Sequence, residues 1–199
     1  MRRAKQNPEG RYAALDAMRA AAISILLSCP MRVANLAALD LKRHVRQRRG
    51  GRYPLYSIRI EGCEVKNGTP IEADFGVEVS RILQTYIQQF RPMLTEAPST
   101  ALFPQRSTGA PRRPGTLSQD LSAAILRETG LMVHAHLFRH LAAKLFLDAS
   151  PGEYETVRRI LGHKKLETTV QFYSRLTSKK AVERYEDVVL APMRGKGDG

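Results

Sequence analysis

His136-Leu137-Phe138-Arg139-His140 is followed by Leu161-Gly162-His163 and then by Thr168-Thr169-Val170-Gln171-Phe172-Tyr173. On a helix, His136 and Arg139 stand three positions apart and share one face, while Leu137 and Phe138 between them turn toward a core. Such a pair sets an imidazole beside a guanidinium. The guanidinium offers a planar fork of donors that fits two oxygens of a phosphate, and the imidazole moves a proton near neutral pH. The residues around this stretch carry a helical period, which predicts helices at His136–Asp148, Glu153–Leu161 and Leu166–Phe172.

Working outward, the C-terminal side gives one more helix, Ser178–Leu190, and then a polar, glycine-rich tail over residues 193–199 that is expected to be disordered. On the N-terminal side, Leu117–Glu128 is a further helix. The segment Pro92–Pro114 holds five of the eleven prolines and is expected to be a surface loop. Val77–Phe90 is helical, with Val77, Ile82, Leu83, Tyr86 and Ile87 as core candidates. Before it lie three alternating segments, Leu41–Arg46, Tyr53–Ile60 and Pro70–Ala73, with a hairpin signal at Asn67-Gly68. An apolar helix over Arg11–Ser28 is stopped by Pro30, and a second, short helix begins near Arg32. The order is helices, a small antiparallel sheet, then more helices. That defines a mostly helical α+β fold, with residues 11–192 as one domain and residues 1–10 as a linker or basic tail.

Charge narrows the function. Lys and Arg number 32 against 19 Asp and Glu, a formal net charge of +13. Such an excess repels itself unless a polyanion offsets it, and it draws in phosphate backbones by counterion release. No apolar run approaches the length of a membrane span, and two cysteines, Cys29 and Cys63, make no disulfide framework. The histidines His134, His136, His140 and His163 lack an acidic residue in a metalloprotease-like spacing, so no metal site and no cofactor is expected.

Taken singly, each polar residue of the opening stretch has a plainer role: a surface ion pair, a satisfied core histidine, a tyrosine with its hydroxyl at the surface. Their joint order is more informative. The run HLFRH, then LGH, then a tyrosine ten residues after that His, resembles the C-terminal signature of the tyrosine recombinase (phage integrase) family. Arg32, in Cys29-Pro30-Met31-Arg32-Val33-Ala34-Asn35, stands where that family keeps its first arginine. Lys66, in Val65-Lys66-Asn67-Gly68, stands where it keeps a lysine on a β-hairpin. Asn35 differs from the glutamate that many members carry there.

The resemblance implies a catalytic domain whose site residues are Arg32, Lys66, His136, Arg139, His163 and Tyr173. It implies double-stranded DNA as partner and a synaptic tetramer formed on DNA from free monomers. A site in the cytoplasm, with the nucleoid, follows, and neither metal nor ATP is required. It implies that Tyr173 attacks a phosphodiester to leave a 3′-phosphotyrosyl bond. Relaxation of supercoils by a type IB topoisomerase, and DNA binding by an inactive regulator, are the alternative outcomes. Larger members carry an N-terminal DNA-clamping domain, so the chain is expected to be a catalytic fragment rather than a minimal invertase. The helix Ser178–Leu190 is expected to dock on a neighbouring protomer within the DNA-bound synapse.

Overall fold

The computed structural model describes residues 10–50 and 53–161. The chain forms two compact units, residues 1–143 and residues 144–199. The expected helices Leu166–Phe172 and Ser178–Leu190, and the tail, lie outside the described residues.

Helix α1, Arg11–Ser28, has the predicted bounds. Ala13, Ala14, Ala17, Met18, Ala21, Ala22, Ile25 and Leu26 recur at helical spacing and are all buried. Five of these eight are alanines, so neighbouring backbones come close. The helix packs against α3 (Val77–Thr85), against the turns Tyr86–Phe90 and Arg91–Leu94 that continue it, and against α4 (Pro114–Thr129). Cys29 ends α1 in an extended conformation, φ −142° and ψ 92°, as a residue before proline is driven to do. Helix α2, Val33–Ala37, follows with Arg32 as its N-terminal cap, and packs on α4.

The sheet has three antiparallel strands in the order β1 (Val45–Gly50), β2 (Tyr53–Ile60), β3 (Ile71–Asp74). Val45 pairs with Ile58, and Ile60 with Ile71. Tyr56, Ile58 and Ile60 alternate into the core. Ser80 of α3, fully buried, accepts the Tyr56 N–H at 3.0 Å through its hydroxyl. Strand β1 lies at one edge and carries exposed Arg46, Arg48 and Arg49.

Several expectations change: Val77, a core candidate, is 48% exposed, and Leu137, expected to turn toward a core, is 39% exposed. The strand predicted at Leu41–Arg46 starts at Val45 instead. Asp40 is the cause: its carboxylate accepts the N–H groups of Lys42 and Arg43 at 2.8 and 3.0 Å, folding residues 41–44 into a turn. The helix predicted to run to Phe90 loosens at Tyr86 into a π-turn and tightens at Arg91. Within the Pro92–Pro114 segment, Ala101, Leu102 and Phe103 are buried rather than laid over the surface. Their backbone is satisfied by the neighbouring helix. Arg91 donates to the carbonyls of Ser99 and Ala101, and the Tyr86 hydroxyl donates to that of Leu102 at 2.7 Å. Burying the segment therefore leaves these carbonyls satisfied.

Helix α5, Ala135–Ala149, and α6, Tyr154–Leu161, match the predicted elements to within a residue or so. In the second unit, Arg158 and Arg159 hold Glu155 and draw its carboxyl down to about 2.

Asp40 gives a test of the turn. Burial works against its ionisation, but hydrogen bonds from the Thr100 hydroxyl and from the Arg43 and Lys42 amides outweigh it, so its pKa lies below the usual value. A depressed folded pKa stabilises fully above the unfolded value near 4, and that contribution is lost as pH falls through the lower folded value. Urea unfolding followed from about pH 6 down to about pH 2 should show this loss. Asp40→Asn keeps an acceptor but cannot titrate, so it should flatten that share of the acid limb.

Candidate nucleic-acid active site

Arg139 lies in α5 beside Phe138, which is buried. The arginine itself is only 7% exposed. A guanidinium taken that far from water needs hydrogen-bond partners. It finds one across 109 residues of sequence: Nη1 donates to the Pro30 carbonyl at 2.7 Å. Proline is apt there, because it ends α1 and its own carbonyl is not taken into a helix.

Pro30 stands two residues before Arg32. Between them Met31 is buried, and its N–H bonds the Cys29 carbonyl at 2.7 Å, which tightens the connection. Arg32 is half-buried at the start of α2, and among the described residues its side chain makes no hydrogen bond or ion pair. The structure thus ties Arg139 to the loop that carries Arg32. Asn35, one turn into α2, buries its Nδ2 with no hydrogen-bond partner among the described residues. That is the position where many tyrosine recombinases carry glutamate.

Cys29 marks how tightly the loop is packed. Burial pushes its thiol up to about 11, and the nearby Arg139 charge offsets only part of that rise.

Lys66 belongs to a different part of the chain. It lies exposed in the connection between β2 and β3, and among the described residues it has no hydrogen bond or ion pair. The Asn67-Gly68 signal is right for the turn, with Gly68 at φ +74°. His136 falls in the first turn of α5, three residues before Arg139; its side chain lies outside the described residues. His163 and Tyr173 lie outside them too. The Pro30 carbonyl went unseen in the sequence, because a backbone acceptor has no residue signature. His44 and Glu64, which meet across 20 residues, gave no signal either.

The chain belongs to the phage integrase family, whose profile it matches over residues 3–180. Among curated proteins it is similar to the tyrosine recombinase XerC of Bifidobacterium longum (strain DJO10A), at 28% identity over 92% of this chain and 50% of that protein. The XerC of Pseudomonas aeruginosa is 26% identical over 90% of this chain and 54% of its own length. The chain therefore spans about half the length of the curated relatives it matches. Among solved structures, the XerH site-specific recombinase in its post-cleavage complex with a palindromic difH substrate gives a TM-score of 0.67. The identity is 20%, covering 87% of this chain and 46% of that one. XerA recombinase gives 0.60 at 21% identity, over 86% and 57%. These likenesses establish the fold.

The packing of the Arg32 loop is open to a direct check. With its thiol at about 11, Cys29 holds on the order of one thiolate per thousand molecules at pH 8, whereas Cys63 is exposed. Iodoacetamide at about pH 8 should label Cys63 and spare Cys29, with Cys29 labelling rising about tenfold per pH unit above that. Peptide mass spectrometry reads both sites. Equal labelling of the two at pH 8 would show that the loop is not packed as described.

Proposed function

We propose that the chain is the catalytic domain of a site-specific DNA recombinase that breaks and rejoins duplex DNA through a 3′-phosphotyrosyl bond at Tyr173. The observation that carries this reading is the Arg139–Pro30 hydrogen bond, which fastens Arg139 to the loop that carries Arg32 in a chain of the phage integrase family. Support from assembly-level relatives is in the same direction. XerH has been solved with its difH substrate, and the Tn1549 transposon integrase, at a TM-score of 0.52, with transposon end DNA.

In the proposed reaction the Tyr173 oxygen attacks phosphorus while the bond to the 5′-oxygen breaks. A tyrosine hydroxyl with a pKa near 10 is a poor nucleophile until it is aligned and loses its proton, and His136 assists that loss. Arg32 and Arg139 hold the non-bridging oxygens and stabilise the charge that gathers on them at the five-coordinate transition state. His163 hydrogen-bonds the same phosphate. Lys66 gives its proton to the departing 5′-oxygen. One phosphate ester is exchanged for another, so its energy is kept and rejoining draws on no ATP. Protomers that are monomeric in solution assemble as a tetramer on paired sites, on chromosomal DNA in the cytoplasm.

Two outcomes test this. A nicked suicide substrate, which loses its short 5′ fragment and so prevents rejoining, should trap a covalent, protease-sensitive adduct. Tyr173→Phe should abolish the adduct and leave non-covalent binding close to that of the parent. An adduct that survives in the Phe variant would move the nucleophile elsewhere.

Affinity for duplex DNA should also fall log-linearly with salt. With about six phosphate contacts, the loss is on the order of 10³ between about 50 and about 200 mM. Fluorescence anisotropy against salt checks it, and a flat line would refute DNA as the partner.

A further inference from the structure

The loop that carries Lys66 is built to a degree that a solvated hairpin tip does not need. Val65 anchors it in the core at 5% exposure. Behind that anchor the turn Gly62–Glu64 is closed by hydrogen bonds from Glu64 N–H to Glu61 O and from Val65 N–H to Gly62 O. Ahead of it, Gly68 N–H returns to Val65 O at 2.8 Å. The two ends meet at Gly62, where a Cβ would stand 2.5 Å from the Gly68 carbonyl oxygen, so the contact admits only glycine without a shift.

Glu64 points from this loop to the turn before β1. Its Oε2 lies 3.1 Å from His44 Nε2, and the Arg43 guanidinium also hydrogen-bonds it. His44 is 4% exposed, and its Nδ1 accepts the Asp40 N–H at 3.0 Å. That bond leaves Nδ1 without a proton and puts the ring proton on Nε2, directed at the carboxylate. Asp40 is held in turn by the Thr100 hydroxyl and by the Lys42 and Arg43 amides. A continuous series of hydrogen bonds thus runs from the exposed Thr100, beside buried Ala101, through Asp40 and His44 to Glu64, two residues from Lys66.

We infer that Glu64, held by His44 and Arg43, is a positioning residue for Lys66 as the general acid of strand cleavage. This rests on the role proposed for Lys66 above. Two effects follow from the geometry. The hydrogen bonds fix the loop's orientation relative to the turn that follows α2. They also occupy the one carboxylate within two residues of Lys66, which would otherwise compete to bind its ammonium, and Lys66 has no ion pair among the described residues. Without His44 and Arg43 to hold it, Glu64 would become a partner for the lysine, and without Glu64 the loop would lose its lateral tie.

The leaving group provides the test. An alkoxide needs a proton to depart, whereas a thiolate leaves without one. Single-turnover cleavage by the full 199-residue chain would be measured on matched suicide substrates, one with the ordinary 5′-oxygen and one with sulfur in that bridging position. Lys66→Ala should slow cleavage of the oxygen ester by about 10² or more and cleave the sulfur ester near the parent rate. Glu64→Ala should show the same pattern at smaller size, about tenfold on oxygen and near parent on sulfur. Glu64→Gln keeps an acceptor for His44 Nε2 and should recover most of the rate.

If Lys66→Ala is equally slow on both esters, Lys66 is not the acid and the underlying reading fails. If Lys66→Ala is rescued by sulfur but Glu64→Ala is not, or if Glu64→Ala cleaves the oxygen ester at the parent rate, the positioning role alone is overturned. A general folding defect in Glu64→Ala would slow both esters equally, and so counts against the proposal.

Discussion

One hydrogen bond, from the Arg139 guanidinium to the Pro30 carbonyl, ties α5 to the loop after α1. Its strength comes from where it lies. A charged donor bonding a neutral acceptor near the surface adds little, but at 7% exposure the loss of the acceptor would leave a charge out of water with one partner fewer. Two conditions keep the acceptor available. Proline ends α1, so the carbonyl at residue 30 is not drawn into a helix, and Met31 is buried immediately after it, so the peptide cannot swing away. The alanine face of α1 supports both, because it lets the turn after α1 sit close to the rest of the core. A bulkier side chain on that face would push the helix outward and carry Pro30 with it.

Arg91 shows the same chemistry used for another end. Burial lowers its pKa, with the nearby Tyr86 and Asp40 acting in the opposite sense, and its donors go to the Ser99 and Ala101 carbonyls. These bonds hold a loop inside the core. They also hold Thr100 where it can reach Asp40, and Asp40 sets the turn that delivers His44. A buried arginine and a tyrosine hydroxyl just beyond α3 thereby connect, through Thr100, Asp40 and His44, to the connection between β2 and β3.

The sequence was legible where structure is local. The bounds of α1 follow from apolar spacing and Pro30, and Tyr53–Ile60 follows from alternation. Arg32, Lys66, His136, Arg139, His163 and Tyr173 stood out as an ordered set through their resemblance to the tyrosine recombinase signature. What escaped was non-local. Strand β1 was displaced by a side chain capping its own backbone, which alternation alone does not register. Ala101, Leu102 and Phe103 looked like surface because the prolines and polar residues around them are read one at a time, while their burial is accompanied by donors from Tyr86 and Arg91. The Arg139–Pro30 and His44–Glu64 contacts join residues 109 and 20 apart, and no periodicity spans such gaps.

A site that stabilises transient charge gains most when its dipoles and charges are already in place before the charge appears. In the proposed site the two arginines and the lysine would be held by different routes. Arg139 sits on a helix, and the loop of Arg32 is fastened to that helix, so this pair gains its order from the packed core. Lys66 is on a hairpin tip, where an exposed side chain has little packing to hold it. Its order must come from the backbone beneath it. The closed turn at Gly62 and Gly68, the buried Val65 and the carboxylate of Glu64 supply three separate attachments. Three attachments define an orientation where one or two would leave a hinge. That difference explains why a lysine can be solvent-exposed and still be held on a well-defined backbone, with His44 and Arg43 of the turn after α2 securing the Glu64 attachment.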